Sequence, residues 1–198
     1  MKRGIKEMNI ILASGSPRRK ELLAQAGFDF EVEVSNADEN VAEESPTEMV
    51  EELAARKAEA VVNLHNKKED NCLVIGADTI VAFENRILGK PKDSADAVRM
   101  VSMLQGSTHQ VYTGVALRSA EREAVFCERT DVQFAPISEE ELQRYLDEAA
   151  FLDKAGAYAI QEEDARFVTR IEGCPSNVVG LPVQRVYAAL REFGLSGK

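Results

Sequence analysis

Apolar residues occur along the chain either in continuous runs or at helical spacing. Residues 10–27 contain one example of each pattern. Ile10–Ala13 form a short apolar run, which is typical of a buried strand. Ser14–Ser16 interrupt that run, and from Pro17 to Gly27 the apolar residues follow helical spacing. A serine N-cap before a proline and a glycine after the last turn are common at helix ends. The pattern predicts a strand, a loop of small residues and a helix.

The remaining elements are predicted from the same periodicities and from capping residues. The predicted strands are Phe28–Val34, Cys72–Ile75, Ile80–Phe83, Ile87–Leu88, Val111–Arg118, Ala124–Phe134, Gly156–Gln161 and Phe167–Ile171. One predicted helix begins at Ser45–Glu48 and runs to about His65, and another begins at Ser138–Glu141 and runs to about Phe151. Two further helices are predicted to begin at Asp93 or Ser94 and at Pro182. Gly173–Asn177 is predicted to be a loop. We expect a mixed α/β domain of two lobes over residues 9–194, between an extension (1–8) and a tail (195–198).

Composition is that of a soluble globular protein, with 44% hydrophobic and 29% charged residues among 198. No apolar run has the length of a membrane span, and residues 1–8 lack the apolar region of a signal peptide. The net charge of −10 disfavours nucleic acids and anionic membranes as partners. Cys72, Cys127 and Cys174 form no CxxC pair, which argues against a zinc site and favours free buried thiols in a reducing cytoplasm.

The start of the first predicted helix carries an unusual charge pattern. Arg18, Arg19 and Lys20 occupy its first turn, where positive charge opposes the helix macrodipole. A bound polyanion would relieve that conflict, because guanidinium groups hold phosphate oxygens bidentately. The alternative is a solvated basic turn. The segment is not a Walker P-loop, since GxxxxGK[ST] is absent.

Four further side chains in the first half could serve phosphate chemistry, and each has a plainer interpretation. Asp78 follows an apolar strand and could hold Mg²⁺ or activate water, or it could cap a turn with Thr79. Glu39 lies in an acidic loop that could be only solvated surface. Lys57 falls within the apolar stripe of a helix, where snorkelling to the surface is favoured over pointing into a cleft. Lys90 lies in a loop that could present it to phosphate or simply to solvent.

Together these residues are the parts that metal-assisted attack on a phosphoanhydride needs. Cations would hold the phosphates, and carboxylates would hold a divalent metal and activate water. A covalent nucleophile is not indicated, because there is no GxSxG and no Cys/His pair. His65 and His109 both have polar sequence neighbours.

Seven segments resemble those of the Maf proteins, nucleoside triphosphate pyrophosphatases first associated with septum formation. They appear in the family order and read LASGSPRRKELL, LAARKA, VIGADTIV, ILGKP, VYTGV, DKAGAYAIQ and GCPSNVVGLP. The resemblance implies hydrolysis between the α and β phosphates to monophosphate and pyrophosphate, with Mg²⁺ or Mn²⁺. It also implies an elongated, twisted mixed sheet flanked by helices, with a cleft between two lobes, as in inosine triphosphatase-like proteins.

The resemblance also implies individual roles. Asp78 matches the family's catalytic base or metal carboxylate, and Glu39 its second catalytic carboxylate, so that both would hold the metal. The residues that match phosphate-binding positions are Ser14, Ser16, Arg18, Arg19, Lys57 and Lys90. The resemblance therefore implies that the side chain of Lys57 points into a cleft rather than to the surface.

Substrate preference is suggested by a further set of matches. Arg18, Thr79 and Gln161 are similar to the set associated with dTTP and UTP, although Glu162–Asp164 replace the glycine that usually follows the glutamine. One alternative is the same reaction on 7-methyl-GTP or another purine triphosphate, such as that of inosine. Another is a non-catalytic nucleotide-binding regulator of septum formation. The resemblance leaves the oligomeric state open, with a homodimer as one candidate.

Overall fold

A computed structural model of the chain describes residues 8–42, 45–65, 71–148, 152–160, 167–195 and 197. The strands are β1 (Asn9–Leu12), β2 (Glu31–Val32), β3 (Cys72–Phe83), β4 (Arg86–Leu88), β5 (Thr108–Arg118), β6 (Glu123–Phe134) and β7 (Val168–Glu172). The α-helices are α1 (Pro17–Gln25), α2 (Pro46–Val62), α3 (Ser94–Leu104), α4 (Glu139–Glu148), α5 (Pro175–Val179) and α6 (Val183–Glu192). A 3-10 turn spans Ala155–Ala157. Within these ranges, no helix is long and apolar enough to cross a membrane.

The strands form one mixed sheet, which confirms the predicted α/β class. Their order is β2-β1-β3-β5-β6-β7, with β4 paired to β3 outside this path. β1 is parallel to β2 and β3, whereas the other pairs are antiparallel. β5 and β6 include the strands predicted at Val111–Arg118 and Ala124–Phe134, and they form a long antiparallel pair that joins Thr108–Arg118 to Glu123–Gln133.

β3 is a single strand of 12 residues, although we expected a break at Gly76–Thr79. That expectation was wrong because the glycine serves helix packing rather than a turn. A Cβ on Gly76 would lie 2.2 Å from the carbonyl oxygen of Ala54 in α2. Gly114 in β5 is equally crowded, with a Cβ 2.1 Å from the carbonyl oxygen of Val50. The two glycines let α2 lie directly on the sheet, and Asp78 is therefore within a strand rather than at its end.

The core divides into two lobes. In the first lobe, alternate residues of β1 and β3 bury opposite faces: Leu12 and Ile75 pack with α1 and α6, and Ile11 and Val74 pack with α2. The second lobe is built around α3 and the far parts of β5 and β6, with its core on Val81, Leu88, Met100, Leu104, Val111, Phe134, Tyr145 and Tyr158.

Several local predictions need correction. The predicted strand Phe28–Val34 is only Glu31–Val32, because β2 is an outer strand that pairs with β1 at two positions. Val34 is consequently 64% exposed. Gly156–Gln161 was predicted to be a strand, but Gly156 has φ +69° and lies in the 3-10 turn. The predicted loop Gly173–Asn177 contains the start of α5.

Capping residues were predicted with mixed success. The Asp93 side chain accepts a hydrogen bond from the Asp96 amide at 2.8 Å. Ser138 and Glu141 form the reciprocal capping box, with bonds of 2.9 and 3.2 Å. Ser45 begins α2 as predicted, but its hydroxyl makes no capping bond to a described residue. The predicted end of the fourth helix at Phe151 lies outside the described residues.

Two statements about titratable residues also change. His109 was expected in polar surroundings, yet it is fully buried among aromatic rings, because β5 carries it into the second lobe. The three cysteines are half-buried, although buried thiols were expected.

Candidate functional site

A cleft of about 380 Å³ opens between the lobes and is lined by side chains from both. Its apolar lining includes Leu53, Ile80, Val111, Tyr158, Ile160 and Val179. Its charged lining consists of Arg18, Arg19, Glu39, Lys57, Asp78, Lys90, Asp153 and Lys154. Among the described residues of the lining, these are five cations against three carboxylates, a net charge of +2 in a chain whose net charge is −10. The cleft is thus a local site for an anion in an acidic protein.

The cleft follows a stretch of β3 that lacks a strand partner on one edge. β1 pairs with β3 as far as Ile75, and β4 pairs with it from Val81 onward. Between these points, no described strand pairs with that edge of β3. Asp78 and Thr79 lie in this gap, and their side chains leave the strand on opposite faces. The gap therefore gives one pocket access to both faces of the sheet.

Lys57 lies between the two predicted catalytic carboxylates. Its Nζ is 2.6 Å from Asp78 Oδ1 and 2.8 Å from Glu39 Oε1, and its side chain is 14% exposed. α2 carries Lys57 over the sheet at the two glycines, so the lysine is directed into the cleft. The snorkelling interpretation, which the sequence favoured, is wrong because the neighbouring carboxylates offer the ammonium group a better environment than apolar surface does.

Glu39 lies in the irregular segment that follows β2. The hydrogen bond from Lys57, assisted by the positive charges of Lys57, Lys90 and Arg19, lowers the pKa of Glu39. Arg56 fixes the same segment, since its Nη1 donates to the Asn40 carbonyl at 2.8 Å. Glu39 therefore reaches the cleft from a loop that a neighbouring residue of α2 holds.

Arg19 joins the start of α1 to two other parts of the cleft. Its Nε donates to the Gly180 carbonyl at 2.9 Å, its Nη2 to Thr79 Oγ1 at 3.0 Å and its Nη1 to Ser14 Oγ at 3.3 Å. Desolvation lowers the pKa of Arg19, but a guanidinium group remains charged at neutral pH. These bonds employ three of its five N–H groups, and the other two donate to no side chain or backbone group within the described ranges, so they are available to a ligand.

The hydroxyl of Thr79 belongs to a chain of hydrogen bonds whose direction is determined. Thr113 Oγ1 donates its proton to the Asn177 carbonyl at 3.0 Å. Thr113 must therefore accept the 2.9 Å bond that links it to Thr79. Since Arg19 also donates to Thr79, the threonine presents only a lone pair to the cleft.

Arg18 crosses the cleft to the opposite wall. Its Nη1 is 3.0 Å from Asp153 Oδ2, and its Nη2 donates to the Asp153 carbonyl at 3.4 Å. Burial alone would raise the pKa of Asp153, but hydrogen bonds from Arg18 and Lys154 hold this pKa below its ordinary value. Lys90 is exposed in the loop after β4, and the Gly156 amide donates to the Gly89 carbonyl at 3.0 Å. That bond attaches the Lys90 loop to the 3-10 turn.

The family model described as "Maf-like protein" matches residues 9–193. The chain belongs to the Maf family.

Relatives of this Maf chain carry consistent names. A dTTP/UTP pyrophosphatase of Bacillus cytotoxicus is 50% identical over 92% of this chain and 94% of its own length. Another, from Agathobacter rectalis, is 48% identical over 94% of this chain and 98% of its own length. A solved nucleoside-triphosphatase / dITP/XTP pyrophosphatase from Mycobacterium abscessus is 19% identical, with a TM-score of 0.37 over 66% of this chain and 76% of its own.

Most of the residues predicted from the Maf resemblance line the same cleft. They are Ser16, Arg18, Arg19, Glu39, Lys57, Asp78, Thr79 and Lys90. Ser14 is buried behind them, where its hydroxyl accepts hydrogen bonds from Arg19 and from the Ser16 amide. Gln161 lies outside the described residues, next to Ile160 of the lining. The roles of these residues in binding and catalysis stay predictions.

Sequence reasoning missed several residues of the Maf site. Asp153, Lys154 and Tyr158 all lie in DKAGAYAIQ, a segment in which the resemblance assigned a role to Gln161 alone. Arg56 could not have been found, because its contact with the loop of Glu39 depends on how α2 packs.

The two carboxylates of the Maf site fit a divalent cation. The described residues contain no group of three or more His, Cys, Asp or Glu side chains that could hold a metal. Mg²⁺, however, is commonly held by one or two carboxylates together with substrate phosphates. Glu39 and Asp78 both direct an oxygen at one cationic atom, Lys57 Nζ, so these two oxygens converge on one positive charge.

Proposed function

We propose that this chain hydrolyses dTTP and UTP to the nucleoside monophosphate and pyrophosphate. The observation that carries the proposal is the convergence of Glu39 and Asp78 on Lys57 in a cleft whose described lining has more cations than carboxylates. Two relatives that are 50% and 48% identical over nearly the whole chain, both named dTTP/UTP pyrophosphatase, support this substrate class. Since nucleotide pools are cytoplasmic, we expect the protein to act there and to clear unwanted nucleotides.

Several cationic side chains hold the triphosphate in this proposal. Arg19 offers its two unused N–H groups, and Arg18 and Lys90 add charge from opposite sides of the cleft. Ser16 caps α1 without a side-chain bond to a described residue, so the amides of Arg18 and Arg19 in the first turn can donate to a phosphate oxygen. Lys57 neutralises charge that develops on the phosphates during the reaction.

Asp78 is the residue that we propose as the base. It accepts a proton from water while the water oxygen bonds to one of the two phosphorus atoms that share the α–β bridging oxygen. The bond from that phosphorus to the bridging oxygen breaks, and pyrophosphate and the monophosphate separate. Glu39 and Asp78 would hold Mg²⁺ or Mn²⁺, which, when bound, neutralises phosphate charge and polarises a phosphoryl oxygen.

A substrate panel tests the proposal. dTTP, UTP, CTP, inosine triphosphate and 7-methyl-GTP are each incubated with the protein and Mg²⁺, and phosphate is measured with and without added inorganic pyrophosphatase. We expect dTTP and UTP to react fastest and phosphate to be detected only when pyrophosphatase is present. Faster turnover of 7-methyl-GTP would overturn the substrate assignment, and phosphate release without pyrophosphatase would overturn the cleavage site.

Two variants accompany the panel. Asp78→Asn keeps the size of the side chain but removes the base, so we expect kcat to fall by about 10³-fold. Lys92→Met is the matched control, because Lys92 is exposed and lies outside the cleft lining. If the Asp78 variant kept wild-type turnover, a non-catalytic role of this site would be the better account.

A further inference from the structure

Thr113 is a buried threonine that fixes the donor and acceptor roles of the Thr79 hydroxyl. The two residues are paired directly across β3 and β5, so their side chains lie on the same face of the sheet. The oxygen atoms of their hydroxyls are 2.9 Å apart. Thr113 has a single hydroxyl proton and donates it to the Asn177 carbonyl at 3.0 Å. The proton between the two threonines therefore belongs to Thr79.

Asn177 holds the end of this hydrogen-bond chain in place. Its side chain is fully buried, and its Nδ2 donates to the Val111 carbonyl at 3.1 Å and to Thr130 Oγ1 at 2.9 Å. Because Thr113 and Asn177 are both fully buried, bulk water cannot replace the Asn177 carbonyl as the acceptor. The direction of the chain is thus set by the packing of α5 against β5.

The Thr79 hydroxyl can act toward a ligand only as an acceptor. Thr79 lines the cleft, and its oxygen accepts a hydrogen bond from Arg19 Nη2 at 3.0 Å. Gly180 lines the cleft beside it, where a Cβ would lie 3.6 Å from Thr79 Oγ1, so the glycine adds no atom that would cover this oxygen. Ionised phosphate oxygens and base carbonyls are acceptors and cannot bind to it, whereas an N–H group can.

From these observations we propose that Thr113 is a positioning residue for substrate choice, which fixes Thr79 to accept a hydrogen bond from the ring N–H of uracil or thymine. The proposal rests on the function proposed above. Uracil and thymine carry a hydrogen on N3, whereas N3 of cytosine is an acceptor. Two acceptors that face each other make no hydrogen bond and repel, so the same hydroxyl disfavours cytosine. The 3′-hydroxyl of the sugar is also a donor, but UTP, dTTP and CTP all have it, and it would give no preference among them.

Thr113→Val tests this assignment without changing a residue of the described cleft lining. Valine has the shape of threonine but no hydroxyl, so the Thr79 proton becomes available to N3 of cytosine. We expect wild-type kcat/KM to be about 100-fold or more higher for UTP than for CTP. This ratio should fall by at least about fivefold in Thr113→Val, with kcat for UTP within about threefold because Asp78 is untouched. A smaller fall, or a wild-type protein without a preference for UTP, would overturn the proposal.

Two further variants separate positioning from a purely structural role. Thr113→Ser keeps the hydroxyl and should keep the ratio of UTP to CTP. Thr130→Val is the matched control, because Thr130 is also fully buried and bonded to Asn177 but lies on β6, one strand further from Thr79. We expect it to lose stability in thermal denaturation and to keep the ratio. If Thr130→Val lowered the ratio as much as Thr113→Val, a disturbance of α5 would explain both results and the proposal would be overturned.

Substrate analogues test the same contact in the unaltered protein, whether or not Thr113→Val folds. N3-methyl-UTP lacks the ring N–H, and we expect its kcat/KM to be at least about fivefold below that of UTP. 3′-Deoxy-UTP lacks the sugar donor and should react within about threefold of UTP. Normal turnover of N3-methyl-UTP, or a loss confined to 3′-deoxy-UTP, would overturn the proposal.

Direct binding separates this proposal from the function itself. The α,β-methylene analogues of UTP and CTP, in which a carbon replaces the bridging oxygen, are titrated calorimetrically in the presence of Mg²⁺ and need no turnover. If the wild-type protein released no pyrophosphate from any triphosphate, the proposed function would fail. The role of Thr113 would still be supported by tighter binding of the UTP analogue that Thr113→Val loses. It would be overturned by equal Kd values for the two analogues in the wild-type protein.

Discussion

Asp78 and Thr79 are consecutive residues of β3 whose side chains leave the sheet on opposite faces and still line one cleft. Asp78 meets Lys57 of α2, and Thr79 meets Arg19 of α1. The gap between the pairing ranges of β1 and β4 makes this possible, because it exposes the edge of β3 between them. We therefore expect the residue on the α2 face to affect chemistry and the residue on the α1 face to affect binding.

Thr79→Val should separate these effects. Valine lacks both the oxygen that accepts a hydrogen bond from Arg19 and the hydroxyl hydrogen that is donated to Thr113. A lost hydrogen bond to a charged group predicts a rise in KM for UTP of about tenfold or more, with kcat within about threefold because Asp78 is untouched. Steady-state kinetics on the purified variant measures both values.

Thr79→Ser is the matched control for this prediction. It keeps the hydroxyl and so both hydrogen bonds, and we expect KM close to that of the wild type. A variant Thr79→Val with normal KM and strongly reduced kcat would contradict the assignment of Thr79 to binding.

Lys57→Met should disable the site from the other face of the sheet. Without the ammonium group, Glu39 and Asp78 would lose the side-chain cation that both of them contact, and kcat/KM should fall by about 100-fold or more. Because Lys57 lowers the pKa of Glu39, the acid limb of the activity profile should move to higher pH in this variant. Lys57→Arg, which keeps the charge, should shift the limb less. An unchanged pH profile would show that the ionisation of Glu39 does not limit activity.

The sequence was sufficient for the residues that lie near one another along the chain. The serine, proline and basic turn around Pro17 predicted both α1 and an anion site, and Ser16, Arg18 and Arg19 do line the cleft. The place of Lys57 was decided by packing. Its spacing put it in an apolar stripe, and only the approach of α2 at Gly76 and Gly114 turns it toward Asp78.

The wall formed by residues 152–160 was the least predictable part. The apolar sequence around Gly156 is typical of a strand, but Gly156 has a φ of +69° and its amide donates a hydrogen bond to the Gly89 carbonyl. This conformation depends on contact with a loop that is distant in sequence. The ion pair of Arg18 and Asp153 joins residues 135 positions apart. No local pattern signals such contacts, because they arise only when the two lobes close around the cleft.

Gly114→Ala should destabilise the protein through α2. The new Cβ would lie 2.1 Å from the carbonyl oxygen of Val50, which is backbone and cannot rotate away. We expect the free energy of unfolding to fall by at least about 2 kcal/mol, measured by urea denaturation. Gly89→Ala is the control, since a Cβ there meets no atom within 4 Å, and it should change stability by less than about 0.5 kcal/mol. Equal stability of the two variants would contradict the close packing of α2 on the sheet.

His109 should make the stability of the fold depend on pH. It is fully buried, its Nε2 is 2.7 Å from Tyr158 Oη, and its ring packs against Phe134. Burial lowers the pKa of His109 from its ordinary value to about 4, partly opposed by the charge of Asp131. In the unfolded chain the pKa returns to about 6.5.

The direction of the effect follows from these two values. Above about pH 6.5 the imidazole is neutral in both states, and the full stability is present. As the pH falls toward 4, the unfolded chain binds a proton that the folded protein excludes, so stability is lost. At about pH 5 the loss should be about 2 kcal/mol relative to neutral pH.

His109→Gln provides the comparison that isolates this histidine. Glutamine is neutral and can still hydrogen-bond to Tyr158, and every other titrating group, including His65 beside Glu33, is shared by the two proteins. Urea denaturation at about pH 7.5 and about pH 5 gives the pH-dependent loss for each protein, and we expect it to be smaller in the variant by about 2 kcal/mol. Equal losses in the two proteins would mean that His109 does not take up a proton on unfolding in this pH range. That result would contradict the prediction that burial beside Tyr158 and Phe134 keeps the folded imidazole neutral.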